Sequence, residues 1–298
     1  MIVANHTHAF RFLRTYWLYL ASVVAISICV ELVNDHVDFD RRALSPTSVG
    51  LVVTALSVFL AFRVSESYSR WWEARTLWGA ILNDSRNLTR QLTTLVSDDS
   101  ANVRMVHRQI AWANALRHSL RNEDDSDSLA PLLSRNDFDA CLRAANHVTQ
   151  LMQQQGQDIA AAQATGSLDG FGRLALEETM SRLTAHQGGC ERIRNTASPD
   201  RVAFFARFTA WGLAITIPMV VLESGNDIDL IDMFVTPFLM LAFLLTERLG
   251  AELKTPFANR ANDTPMTALC RTIEIDLRQQ LGETDLPDPI GPEDGILM

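Results

Sequence analysis

The chain has four cysteines, Cys29, Cys141, Cys190 and Cys270, too far apart to form a Cys-x-x-Cys pair. That excludes the local spacing of a zinc ribbon or a dithiol redox motif and leaves isolated, buried thiols as the expectation. The seven histidines include no His-Glu-x-x-His, so no metal site is expected. A Gly-rich phosphate loop, a Gly-x-Ser-x-Gly and a Cys/His pair or carboxylate cluster in a recognisable catalytic setting are all missing. Nothing therefore points to an enzyme or to a cofactor. Lysine is scarce, basic residues form no clustered run, and the net charge is -9, which argues against nucleic acid as a partner.

What the chain does have is apolar sequence, sharply segregated. Hydrophobic residues make up 47% of its 298 positions, yet the mean hydropathy is only +0.04. Apolar blocks almost free of charge alternate with blocks rich in Arg, Asp, Glu, Gln and Asn, as in a membrane protein with a large wet portion. The blocks are Tyr16 to Val33, Val49 to Phe62, Val202 to Leu222 and Met233 to Leu245. The first ends in Glu31, Asn34 and Asp35 rather than in a small-residue cleavage site, so it reads as a retained transmembrane helix with Tyr16, Trp17 and Tyr19 as an interfacial belt.

The stretch from Ser45 to Gln91 organises the rest. Ser45 is a good N-cap, Pro46 suits the first helical position, and neither Pro nor Gly interrupts Leu51 to Trp78, so one continuous helix is expected. Its apolar part, about seventeen residues from Pro46 to Arg63, covers roughly 26 Å, barely a membrane span. With Thr54 and Ser57 inside, it suits a helix that lines something within a bundle better than one facing lipid all round. Thr54, Val58 and Phe62 lie four apart on one face. Beyond Arg63, the positions Trp71, Ala74, Trp78, Ile81, Ser85, Leu88 and Leu92 step by three and four and form one apolar stripe. On the polar face, Arg70 is spaced to pair with Glu66 and Glu73.

From Thr93 to Asp200 the chain is wet, with helices expected over Val103 to Arg121, Arg135 to Gln155 and Gly170 to His186. Breaks are expected at Gly156, at Gly166 and in a solvated acidic loop from Glu123 to Asp127. Pro218 predicts a kink in the third span, and Pro237 falls in the first turns of the fourth. A last helix is expected from about Thr267 to Leu281, followed by a disordered Pro-rich tail over Pro287 to Pro292. Four divisions follow: 1–92 with two transmembrane helices, the second running on into water; 93–201, wet and helical; 202–249 with spans three and four; and 250–298, a polar C-terminal helix and tail. Arg11 and Arg14 precede the first span, Arg63, Arg70 and Arg75 follow the second, Arg192, Arg194 and Arg201 precede the third, and Arg248, Lys254 and Arg260 follow the fourth. Only Arg41 and Arg42 fall on the other side, so both termini and the wet portion are expected in the cytoplasm, for a bacterial chain at the inner membrane.

Three groups of residues carry a family resemblance. The first is Phe62-Arg63, Ser67-Tyr68-Ser69-Arg70-Trp71-Trp72-Glu73-Ala74-Arg75, Leu77-Trp78-Gly79 and Ser85-Arg86. The second is Cys190-Glu-Arg-Ile-Arg-Asn-Thr-Ala-Ser-Pro199, and the third is Glu252-Leu-Lys-Thr-Pro-Phe257 with Asn262-Asp-Thr-Pro265 and Cys270-Arg-Thr-Ile-Glu-Ile-Asp276. In the right order and across nearly the whole chain, they resemble the bestrophin family of ion channels, particularly its bacterial members. The resemblance implies an all-α membrane protein assembled as a homopentamer around a central pore, each subunit with four transmembrane helices and a large cytoplasmic helical bundle. It places a hydrophobic neck at Thr54, Val58 and Phe62 and a cytoplasmic aperture at Ile193. The family carries bulky apolar groups at all three neck positions, so Thr54 is a departure, and a polar ring wets more easily.

The partners implied are lipid and inorganic ions, chloride as in eukaryotic members or sodium as in bacterial ones. Arg192 and Arg194 flank Ile193, either facing the ion path or paired with acids. The calcium-binding acidic run of animal members corresponds here to Pro256 to Asp263, which holds a single acid, so no calcium clasp is expected. Against the channel stand plainer readings: Thr54, Val58 and Phe62 as packing inside the membrane, Ile193 as core, the Trp71, Trp72 and Trp78 stripe as core between helices, and the whole as a membrane-anchored assembly module that conducts nothing.

Overall fold

The computed structural model describes residues 17–26, 28–29, 46–196, 200–221, 230–293 and 295–297. The helices are α1 (Trp17–Ile26), α2 (Pro46–Leu95), α3 (Asp99–Arg121), α4 (Ser126–Leu129), α5 (Arg135–Leu142), α6 (His147–Ala164), α7 (Gly170–Asn195), α8 (Asp200–Val221), α9 (Leu230–Leu253) and α10 (Met266–Gln280). Among the described residues the regular structure is all-helical apart from one isolated β-bridge between Glu293 and Ile296. Arg11, Arg14, Tyr16, Arg41, Arg42 and Ser45 lie outside them, as does the side chain of Pro218.

α2 runs unbroken for 50 residues from Pro46. The hydroxyls of Thr54, Ser57, Ser69 and Thr76 each donate to the carbonyl four residues earlier, so these polar side chains are satisfied within the helix. Among the described residues α2 is the one helix long and apolar enough to cross a membrane, and only 17% of its apolar window is buried.

The described residues divide into two compact units, and α2 contributes to both: one comprises 71–196 and 256 onward, the other 17–26, 28–29, 46–70 and 200–255. In the first, the stripe read from the sequence is buried: Ala74, Trp78, Ile81, Ser85, Leu88 and Leu92 have no exposed surface. Each large apolar side chain so buried contributes ~1.5–3 kcal/mol. α3 is the hub, packed on α6, α7 and α10. Asp98 caps it by accepting the Ala101 N–H, and it ends at Asn122 with φ 57 in the left-handed region. From its buried face Arg108, 2% exposed, donates to Asp137 and Asp158 at 2.8 Å each and to Gln155 at 3.1 Å.

Several expected boundaries move. Arg135 to Gln155 is two helices, because Asn146 caps α6 through its side-chain oxygen after α5 has ended at Leu142. α6 runs through Gly156, where tertiary packing outweighs the glycine's low propensity. α7 continues past His186 to Asn195. The acidic run is only partly solvated: Asp125 is buried and lies 2.9 Å from His147 Nδ1. The Pro-rich tail is tied to α10 at Asp288, whose carbonyl accepts from Arg271, and just ahead of the tail Arg278 donates to Asp285 O.

In the second unit α8 packs along α9. Val23, Leu56, Leu60, Ala210, Leu213, Met240 and Leu244 form its buried cluster. Phe59 meets Phe205 edge to face, with ring centroids 6.0 Å apart. Gly250 permits a close approach of α9 to α2, since an added Cβ would sit 3.4 Å from Val64 Cγ2.

Candidate functional site

A helix turns by 100° per residue, so positions four apart drift slowly round its surface and keep one side. On α2, Leu56 and Leu60 occupy the packed side, at 4% and 2% exposure. Thr54, Val58 and Phe62 occupy the outward side. Thr54 is exposed, Val58 is 52% exposed and Phe62 72%. An aromatic ring so uncovered on an isolated subunit is anomalous in water and calls for lipid, another copy or a constricted path against it. The Thr54 hydroxyl donates to Gly50 O at 2.9 Å, which leaves only its acceptor capacity outward. The upper position is thus less polar than its residue type suggests. On α8, Phe204 and Phe208 stack with ring centroids 6.1 Å apart and both rings largely exposed.

Directly after Phe62, Arg63 turns inward. Its Nη1 donates to Glu247 at 3.1 Å, with the two side chains 10% and 4% exposed. Arg207 approaches the same oxygen at 3.5 Å. One buried carboxylate therefore ties α2 to α8 and α9 beside the exposed row. Sequence reasoning missed this triad; its visible trace was an acid closing an apolar run at Glu247.

Ile193 belongs to the larger unit and the row to the other. It is 4% exposed and packs in the core of the larger unit, so in a single subunit its side chain presents almost no surface. Burial of Cys190 one turn earlier, which pushes its thiol up to about 12, marks the same inward face of α7. Arg192 is exposed and pairs with Glu73. Arg194 donates to Asn122 and Asn195. Among the tryptophans, Trp78 is core, Trp71 donates to Asn262 O at 2.8 Å, and Trp72 departs from the core expectation at 55% exposure. Asp263, the acid of the Pro256 to Asp263 stretch, is buried and accepts the Arg260 N–H at 2.9 Å. Three cysteines are buried, as expected, and Cys29 is exposed.

These features define an all-helical protein whose longest helix is fit to cross a membrane and turns an apolar row outward. The family profile of bacterial and fungal bestrophin proteins matches residues 11–279, and the chain belongs to that family. A relative from Ralstonia nicotianae called a voltage-dependent anion channel-forming protein is 32% identical over 97% of each chain. The Escherichia coli K12 protein YneE, which has the same description, is 32% identical over 85% of this chain and 82% of its own. Two crystal structures of a bacterial bestrophin homologue from Klebsiella pneumoniae superpose with TM-scores of 0.83 and 0.82, each 28% identical and covering 89% of this chain and 98% of that one.

Proposed function

We propose that the chain is the subunit of an anion channel, five copies of which surround a central path across the bacterial inner membrane, with both termini in the cytoplasm. The observation that carries this reading is the outward row of Thr54, Val58 and Phe62, opposite a side of α2 that packs within its own subunit. One subunit has no room for a wet path along its own axis, whereas several α2 helices turned toward a common axis line one. Rings of Val58 and Phe62 then make a neck that resists wetting, with Thr54 above it. Anion transport is supported by the relatives' description and by the family. Because Ile193 is buried within the subunit, we leave it out of the proposed lining.

The test is the reversal potential of purified protein in a planar bilayer under a chloride salt gradient, repeated with an impermeant cation in place of sodium. Reversal near the chloride equilibrium potential is expected. Reversal near the sodium potential would make it a monovalent cation channel, a reading that the net charge of -9 favours. No current from particles of pentameric mass would replace both readings with a non-conducting assembly module.

A further inference from the structure

In the larger unit a cavity of about 390 Å³ opens between α3, α10 and the C-terminal segment; its walls include His107, Arg117, Thr267, Arg271, Arg278 and Ile290. Positive charge around it exceeds negative. Glu274 lies 3.3 Å from Arg271 and 3.4 Å from Arg278, so one carboxylate answers two guanidinium groups. Glu283 is likewise shared, at 2.6 Å from Arg278 and 2.9 Å from His107.

Arg117 forms no ion pair among the described residues. One of its amino groups lies 2.5 Å from His118 Nε2, and its Nε is buried without a partner. Arg121, one turn further along α3, donates to the cavity residue Thr267 at 2.9 Å and leaves Nε and Nη2 buried without partners. Burial holds the Arg121 guanidinium below its ordinary pKa, against the pull of Glu123. Three buried guanidinium nitrogens on adjacent turns thus lack an acceptor among the described residues, in a chain whose net charge is -9. Water can accept the hydrogen bonds but cannot balance the charge. An acceptor-only group with several charged oxygens does both.

We propose that this cavity binds a small phosphate-bearing anion, with Arg117 and Arg271 as its direct ligands and Arg121, behind Thr267, adding to the field. The volume lies within the range of small-molecule sites. Arg271 also donates to Asp288 O at 3.2 Å, so an anion bound there sits against the C-terminal segment.

Pyrophosphate is the probe, titrated calorimetrically into the detergent-solubilised full chain at constant ionic strength. Saturable binding is expected, with Arg117→Gln and Arg271→Gln each weakening it about tenfold, the cost of one hydrogen bond to a charged group. Arg90→Gln removes an exposed charge on α2 whose side chain, among the described residues, donates to Asn87, and should leave affinity unchanged. The unfolding midpoint should rise with pyrophosphate in wild type and Arg90→Gln. If Arg117→Gln does not fold, Arg271→Gln decides alone. The proposal is overturned by absence of saturation at millimolar pyrophosphate, by undiminished affinity in the cavity variants, or by equal weakening in Arg90→Gln.

Discussion

Glu247 sits at 4% exposure among apolar side chains, where an ionised carboxylate persists only if its charge is answered. Arg63 answers it from an almost equally buried position, while Arg207 does so from a side chain 57% exposed. Removing one partner of a buried pair strands the other, so Glu247→Ala should cost ~3–5 kcal/mol. Arg207→Ala should cost less than ~1 kcal/mol. Denaturation midpoints of the two variants in one detergent will show whether the costs separate. Ile193→Ala removes a packed core side chain and should cost ~2–5 kcal/mol. It should leave relative ion permeability unaltered; a shifted reversal potential would return Ile193 to the ion path.

His118 supplies a pH dependence whose sign is fixed. Burial first, then the neighbouring Arg117, lowers its pKa from 6.5, against the pull of Glu123. The unfolded chain takes up this proton at higher pH than the folded chain does. The resulting stability is therefore complete above 6.5 and lost as pH falls below it. His118→Gln keeps an acceptor for Arg117 and removes the titration, so wild type should lose more stability than the variant between about pH 7.5 and 5.5. Parallel losses in the two proteins would be the contrary result.

At the scale of elements, the neck row predicts that Val58→Ala with Phe62→Ala raises single-channel conductance while scarcely changing subunit stability, because both side chains are largely exposed. Unchanged conductance would place the constriction elsewhere. Most of α2 was legible in the sequence: periodicity marks the stripe from Ala74 to Leu92, and a run without Pro or Gly predicts continuity. The division of Arg135 to Gln155 was less legible, because it depends on Asn146 acting as a cap, a role the same residue type does not play at every position. Pairings over long sequence separations were not legible at all. Arg108 with Asp137 and Asp158, and Arg63 with Glu247, depend on which helices pack together, and residue spacing carries no record of that.

For the whole molecule, the proposal requires copies of a 33.2 kDa chain to assemble. Light scattering of the detergent-solubilised particle, corrected for bound detergent, should give about five times that protein mass. A monomer or dimer would remove the central path and the channel with it.

The 50 residues of α2, at 1.5 Å each, form a rod about 75 Å long, without proline after its first position. A helix of this kind bends only gently and has no hinge to absorb a local displacement. Any roll about its own axis changes which side chains it turns outward. Rolled by one residue's angle, about 100°, it would withdraw Val58 and Phe62 and present Ser57 and Ala61, both exposed and both small. Rolled the opposite way, it would present Phe59 and the arginine that Glu247 now holds.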